Sequence, residues 1–374
     1  MQELHIVSLD IPYPTNYGGA IDVFHRIKEL SLQGVAITLH CFQYGERQPQ
    51  QELEYLCKEV HYYIRKTGVS GISLRLPYIV YSRRDSKLLE RLSNAQSPIL
   101  FEGIHSCYYL NHSRLKSKTK IVRCMNVEHE YYQFLASQAS GFKKLYYTIE
   151  AKLLKRFESV LAHAQHLLAI TSQDEQHFNH HYPEVPSITL TAFHGNELKT
   201  LHIASGNYAL FHGSLNVIEN ENAALFLAED VWDDIKHPLI IAGRNPSKKL
   251  IATLSNKPNI NLIADSSQDK LDKLVNDAHV HLMYATQSSG LKLKFMKALF
   301  QGKHVIANGL MVTEKSLDPL VTIANTAQQW KKAIHQVTNL AFTKEMQQER
   351  NLVLQNFTDK KSVNKLMKIL TLRP

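Results

Sequence analysis

Short apolar runs alternate with helical spacing along almost the whole chain of 374 residues, and this alternation most limits its fold. Residues 4–9 read as a buried strand. A loop carrying Pro12, Pro14, Asn16, Gly18 and Gly19 follows. Val23, Phe24, Ile27 and Leu30 then fall at helical spacing, and Gly34 stops the helix. Residues 35–42 form the next apolar run. Such a strand–loop–helix–strand unit favours a parallel α/β sheet. Further strands are expected at 61–64, 99–101, 120–123 and 167–170.

A long helix is expected at about 142–160. Phe142, Leu145, Tyr146, Ile149, Leu153 and Phe157 line one face of it, and Lys143, Lys144, Lys152, Lys155 and Arg156 crowd the flanks. Thr171 opens a capping box with Asp174. The pattern weakens at 182–186, and 193–206 is polar, so the first domain is expected to span 1–190. A second alternating series covers 191–342. Its strands are expected at 208–211, 239–242, 260–264, 279–283, 304–307 and 320–323, with helices at 220–229, 248–255, 268–277 and 291–301. Two helices, about 343–355 and 360–370, end the chain without another strand. Two doubly wound domains in series imply a cleft, with ligands outside the carboxyl ends of the strands.

The apolar fraction of 44% and charged fraction of 21% are globular values. The length allows two or three domains at about 150 residues each. Lys and Arg number 43 against 34 Asp and Glu, giving a formal charge of +9. That excess suits an anionic partner, whether phosphate, nucleic acid or a membrane surface, without choosing among them. Cys41, Cys57, Cys107 and Cys124 form no Cys-x-x-Cys pair, which speaks against a zinc ribbon or a thioredoxin-type site. No signal-peptide pattern opens the chain, and no apolar run approaches the roughly 20 residues of a membrane span. A cytoplasmic protein is expected, with peripheral contact at the inner membrane face allowed.

Six segments just after strands carry candidate chemistry. In IPYPTNYGGA, Gly18 and Gly19 let backbone N–H groups approach a ligand, or form an ordinary turn. In FEGIHSCYYL, Glu102 and His105 offer an acid and an imidazole, or a helix cap and a surface histidine. In RCMNVEHEYY, Arg123, Asn126, Glu128 and His129 bind an acceptor's hydroxyls or form a buried ion-pair network. In FHGSLNVIENENAA, a strand ends at His212 and Gly213. In IIAGRNPSKKL, Arg244, Lys248 and Lys249 beside a helix start suit a diphosphate or form a solvated basic turn. In TQSSGLKLKFMKALFQGKHVIAN, the Ser288-Ser289-Gly290 turn opens a helix, and Lys294 and Lys297 share one of its faces. The core face of Leu291, Phe295, Ala298 and Leu299 fits a purely structural helix equally well.

Other chemistries lack their patterns. There is no G-x-x-x-x-G-K-[ST], no Asp-x-Asp, no H-E-x-x-H and no G-x-S-x-G. His163, His166, His177, His180 and His181 are the densest of 20 histidines and read as surface or core groups, so no metal is expected. Nucleic-acid binding, prompted by the charge and 17 tyrosines, has no recognition motif behind it.

Together these segments resemble a GT-B glycosyltransferase of the family 4 type, over nearly the whole chain. IPYPTNYGGA resembles that family's opening loop, and SSGLKLKFMKALFQGKHVIAN its sugar-nucleotide helix and strand. HGSLNVIENENAA and RCMNVEHEYY are similar to a bacterial surface-polysaccharide and mannosyltransferase-like subgroup. The resemblance implies two Rossmann-like domains facing across a cleft, with residues 343–374 crossing back onto the first. It implies a hexosyltransferase that moves a sugar from a GDP- or UDP-sugar to a glycan or lipid-linked hydroxyl, without a cofactor or metal and with retention. His105 would lie near the transferred sugar with Glu102 beside it, and Arg123, Asn126, Glu128 and His129 would face the acceptor. The chain departs from the family at three places. The ribose-binding Glu falls on Lys297, an Arg on Ser214 and a Lys on Glu219; a lysine cannot accept a hydrogen bond. Either Arg244, Lys249, Lys292, Lys294 and the turn Ser288–Leu291 hold the diphosphate instead, with Lys297 aimed at phosphate, or catalysis is lost and the chain serves as a partner of another transferase. The cationic helix at 142–160 is either a solvated face or a contact with anionic lipid.

Overall fold

A computed structural model describes residues 2–199, 206–287 and 292–371. The described chain divides into two compact units, one of residues 2–195 with 359–371 and one of the remainder.

The first unit holds strands β1 (Glu3–Ser8), β2 (Ala36–Gln43), β3 (Glu59–Ile64), β4 (Ile99–Glu102), β5 (Lys120–Cys124), β6 (His166–Ala169) and β7 (Ser187–Thr189). They form one sheet in the order β3-β2-β1-β4-β5-β6-β7, and every neighbour pair is parallel. The order reverses between β1 and β4. The central strands β4, β5 and β6, buried on both faces, read as continuous apolar runs rather than alternating ones, while the edge strands β3 and β7 are partly open. Val7, Phe101, Val122 and Leu167 meet in one core, with Leu88 and Phe178 from the covering helices.

The second unit repeats the plan with β8 (Ala209–His212), β9 (Leu239–Gly243), β10 (Ile260–Ala264), β11 (Val280–Met283), β12 (His304–Ala307) and β13 (Thr322–Ile323). The order is β10-β9-β8-β11-β12-β13, again parallel and reversing between β8 and β11. Phe211, Leu239, Ile241, Val280 and Trp330 centre its core. Ser247 and Ser267 cap the helices Lys248–Ser255 and Gln268–Asp277 by accepting from backbone N–H groups.

The C-terminal segment is divided rather than moving as one piece from residue 343. Helix Lys344–Leu354 stays with the second unit. Its Leu354 packs with Phe295 and Leu299, and Arg350 donates to the Gly302 carbonyl at 2.7 Å. Only helix Asp359–Thr371 joins the first unit. There the Asp359 carboxylate accepts from the backbone N–H groups of His194, at 2.9 Å, and Gly195, at 2.7 Å. Lys365 donates to the Thr189 carbonyl at 2.6 Å. The first unit therefore runs to Gly195, five residues past the expected boundary at 190.

Candidate functional site

Each unit has a switch point, and in such sheets ligands bind at the carboxyl ends of the strands beside it. In the first unit β1 runs out into Asp10. Its carboxylate accepts from Ile11 N–H at 2.7 Å and from the Tyr17 hydroxyl at 3.2 Å, and it pairs with Arg47 at 3.1 Å. This set closes the loop that leads to helix Gly18–Leu32, which Tyr17 precedes without a side-chain cap. Across the switch point, β4 leads through Gly103 to His105. Gly103 sits at φ +73°, and a Cβ there would lie 2.9 Å from His105 Nδ1. That Nδ1 is buried without a partner among the described residues. Burial, then Arg83 and Arg65, hold the imidazole well below its ordinary pKa, so it is neutral. One strand over, Asn126 Nδ2 donates to Glu128 Oε1 at 3.0 Å. Burial pushes the Glu128 carboxyl up to about 7.

Glu102 and Arg123 do different work from that expected. Both are fully buried. Arg26 grips Glu102 through Nε at 3.0 Å and Nη2 at 2.6 Å. It also pairs with Asp22 at 3.1 Å, and Arg123 meets Asp22 at 3.4 Å. Two arginines and two carboxylates thus balance inside the sheet and its first helix. Glu102 faces no solvent and has no free oxygen to act as an acid. Arg123 spends its remaining donors on the carbonyls of Ala169, at 3.2 Å, and Leu190. His129 is likewise committed: its Nδ1 pairs with Glu158 at 2.8 Å, and His177 and Tyr182 reach the same carboxylate.

In the second unit the switch point gathers cationic and unpartnered groups. β8 ends at His212, whose Nε2 is buried without a partner among the described residues. Burial first, then His281, Lys297 and Lys294, keep this ring well below its ordinary pKa. Lys294, two residues into helix Leu293–Gln301, lays its ammonium 5.0 Å from the Phe211 ring centre. It donates to Asn220 Oδ1 at 2.7 Å, and burial brings its pKa down to about 7. Asn220 Nδ2 donates to the Ser214 carbonyl at 3.0 Å. Lys292 donates to the Gln287 carbonyl at 2.9 Å, and the Gln287 amide to Glu219 at 3.3 Å. Lys297 is ion-paired with Asp272. At the exit of the neighbouring strand, Arg244 and Lys249 are exposed. The loop is tight here, because a Cβ at Gly243 would lie 1.9 Å from the Gly213 carbonyl oxygen.

No family model matches the chain. An uncharacterized 44.6 kDa protein in the cps region of Klebsiella pneumoniae is 27% identical over 335 residues, covering 83% of this chain and 84% of that one. Sucrose-phosphate synthase from Thermosynechococcus elongatus matches with a TM-score of 0.73 at 12% identity, over 99% of this chain and 98% of the other. A point mutant of S. aureus TarM in complex with fondaparinux, alpha-GlcNAc-glycerol and UDP matches at 0.69 and 11% identity, over 100% of both chains. Acinetobacter baumannii MurG matches at 0.53 and 11% identity, over 99% of both.

The chain has the GT-B fold. Set on the two GT-B sheets, the expected site residues separate into groups. His105, Asn126 and Glu128 follow strand ends of the first unit, and Gly18 and Gly19 begin its first helix. His212, Gly213, Lys292, Lys294 and Lys297 gather around one switch point of the second, with Arg244 and Lys249 at the next strand exit. Ser288, Ser289, Gly290 and Leu291 lie outside the described residues. Glu102, Arg123 and His129 belong to internal networks. Sequence reasoning passed over Asn220, whose signal was its place in the first turn after a strand end. It also passed over Asp10 with Arg47, which lie 37 residues apart and share no local pattern.

Proposed function

We propose that the chain is a hexosyltransferase that moves a sugar from a nucleotide-sugar to a hydroxyl of a glycan or lipid-linked acceptor during surface-polysaccharide assembly. The observation that carries this is the placement of Lys294 beside Phe211, Asn220 and His212, whose Nε2 is unpartnered among the described residues, at the second switch point of a GT-B fold. The K. pneumoniae relative in a cps region and the UDP-bound TarM structure support the substrate class.

In this reading the anomeric carbon leaves its phosphate oxygen and bonds to the acceptor oxygen on the same face, and the acceptor proton passes to the released diphosphate. Lys294 and Lys292, with Arg244 and Lys249 at the adjacent strand end, supply positive charge to the leaving group in place of a metal. His105, neutral with Nδ1 unpartnered among the described residues, hydrogen-bonds the transferred sugar. Glu128 and Asn126 contact the acceptor. The test is donor turnover: release of GDP or UDP from GDP- and UDP-hexoses, with and without glycan acceptors. Release that disappears in Lys294→Met supports the reading.

A second reading, an inactive partner of another transferase, draws on Lys297. Its ammonium is tied to Asp272 and offers a ribose no acceptor. That reading expects no nucleotide binding and a stable complex with a second transferase.

A further inference from the structure

Helix Gly141–Phe157 faces outward along the first part of the stripe that the sequence suggests as its apolar side, while Leu153 and Phe157 at its far end are half-buried and Phe157 packs on the core. Phe142 is 93% exposed, and Leu145, Tyr146 and Ile149 are exposed with it. The helix is held from its other side, where Ala151 and Leu154 are buried and Glu150 accepts from the backbone N–H groups of Tyr78, at 3.0 Å, and Ile79, at 2.9 Å. Glu150 is the helix's one acidic residue, and it is turned inward. The exposed charges of the helix are Lys143, Lys144, Lys152, Lys155 and Arg156, all basic.

Tyr78 ties a second apolar set to the same region. Its hydroxyl accepts from Gly68 N–H at 3.2 Å, so the loop 66–75 is fastened to the residue that Glu150 holds. On this loop Val69 is 87% exposed and Leu74 95%, with Ile72 also exposed, between Lys66 and Arg75. The loop has no acidic residue either. Arg84 fixes it further by donating to the Ser70 carbonyl at 2.9 Å. Single exposed apolar residues are ordinary; two adjoining sets within one unit are not.

We propose that this face of the first unit docks on the surface of an anionic phospholipid bilayer, inserting Phe142, Leu145 and Ile149 at the headgroup boundary while the surrounding lysines and arginines meet the lipid phosphates. Apolar insertion with basic flanks is the physical requirement for binding in the plane of such an interface. A second copy of this chain is disfavoured as the occupant, because a two-fold contact through this face would bring the basic flanks of both copies together. Among the described residues no helix is long and apolar enough to cross the membrane, so contact of this kind is made from one side.

The test is co-sedimentation of the full chain with vesicles of phosphatidylcholine alone and of phosphatidylcholine with 30% phosphatidylglycerol, beside sedimentation velocity without lipid. Binding is expected to the anionic vesicles and to weaken with salt. Phe142→Ser/Ile149→Ser and Lys152→Glu/Lys155→Glu/Arg156→Glu should each lower it about tenfold or more while melting as the parent does, since all five side chains are exposed. Absence of binding to anionic vesicles, or equal binding by parent and variants, overturns the proposal. So does self-association that Phe142→Ser/Ile149→Ser abolishes, which would assign the face to a second copy.

Discussion

The Lys294 ammonium donates to the side-chain carbonyl of Asn220 at 2.7 Å, and the Asn220 amide donates in turn to the Ser214 carbonyl at 3.0 Å. A lysine that follows β11 is thereby fastened to the loop that follows β8, across the point where the sheet order reverses. A longer contact to the Tyr284 carbonyl, at 3.5 Å, is its second neutral partner, and among the described residues no anion pairs with it.

Burial lowers Lys294 to about 7, so a bound diphosphate restores its proton. Nucleotide affinity should fall as pH rises above about 7, with uptake of about one proton per nucleotide bound. Calorimetry at pH 8.5 in buffers of different ionisation heat measures that uptake, and Lys294→Met should abolish it. The same substitution should weaken binding about 10- to 150-fold, the value of a charged hydrogen bond of about 1.5–3 kcal/mol.

Arg26 and Glu102 test the reassignment of the first unit's buried charges. Glu102→Ala leaves Arg26 buried with one partner fewer, and urea unfolding should show a loss of about 3–5 kcal/mol. The double variant Arg26→Met/Glu102→Met should recover most of it, since Asp22 and Arg123 still pair. A Glu102→Ala protein of parental stability that had lost only turnover would restore Glu102 to catalysis.

Glu158 and His177 give stability a pH window. Burial alone would raise Glu158, but hydrogen bonds from His129 and His177 overcome this and bring it to about 2 from 4.5. Its contribution is full above 4.5 and is lost as pH falls from there toward 2. The hydrogen bond to Glu158 raises His177 above 6.5, so that contribution is full below 6.5 and is lost as pH rises through the raised value. The cluster stabilises most between 4.5 and 6.5. Thermal melts from pH 3 to 8 should peak there, and Glu158→Gln should flatten the profile and cost roughly 3 kcal/mol within the window.

Gly243 allows a close backbone approach at the strand exit beside the second switch point. A methyl group there would sit 1.9 Å from the Gly213 carbonyl oxygen, and neither chain can yield without moving a strand end. Gly243→Ala should lower stability by about 1–3 kcal/mol. It should also weaken nucleotide binding more than Ile251→Ala, an exposed change on the following helix.

Both sheets were legible in the sequence because their central strands are buried on two faces and read as unbroken apolar runs, and edge strands such as β10 keep a mostly apolar run. Residues 260–264 and 304–307 were placed to the residue. Strand β7 was missed, since Ser187–Thr189 is a short edge strand with a single apolar side chain. The internal ion pairs were half visible: Arg26 shares helical spacing with Val23, Ile27 and Leu30, and a cation on an apolar stripe signals a buried partner. Glu102 lies 76 residues away, and only the sheet brings them together. The stripe expected from Phe142 to Phe157 splits in the structure, with its first part exposed and Phe157 packed on the core, because periodicity shows that a face exists and not what covers it. The switch points follow from strand order, which spacing along the chain does not contain.

The most direct measurement is a calorimetric titration of the native chain with GDP, UDP and their mannose, glucose and N-acetylglucosamine conjugates, with Lys294→Met, Arg244→Ala and Lys297→Glu run in parallel. The transferase account predicts that one nucleotide binds, that its sugar conjugate binds with it, and that Lys294→Met and Arg244→Ala weaken both. No binding of any of them to a folded native chain would contradict the account and leave the partner-subunit reading in its place.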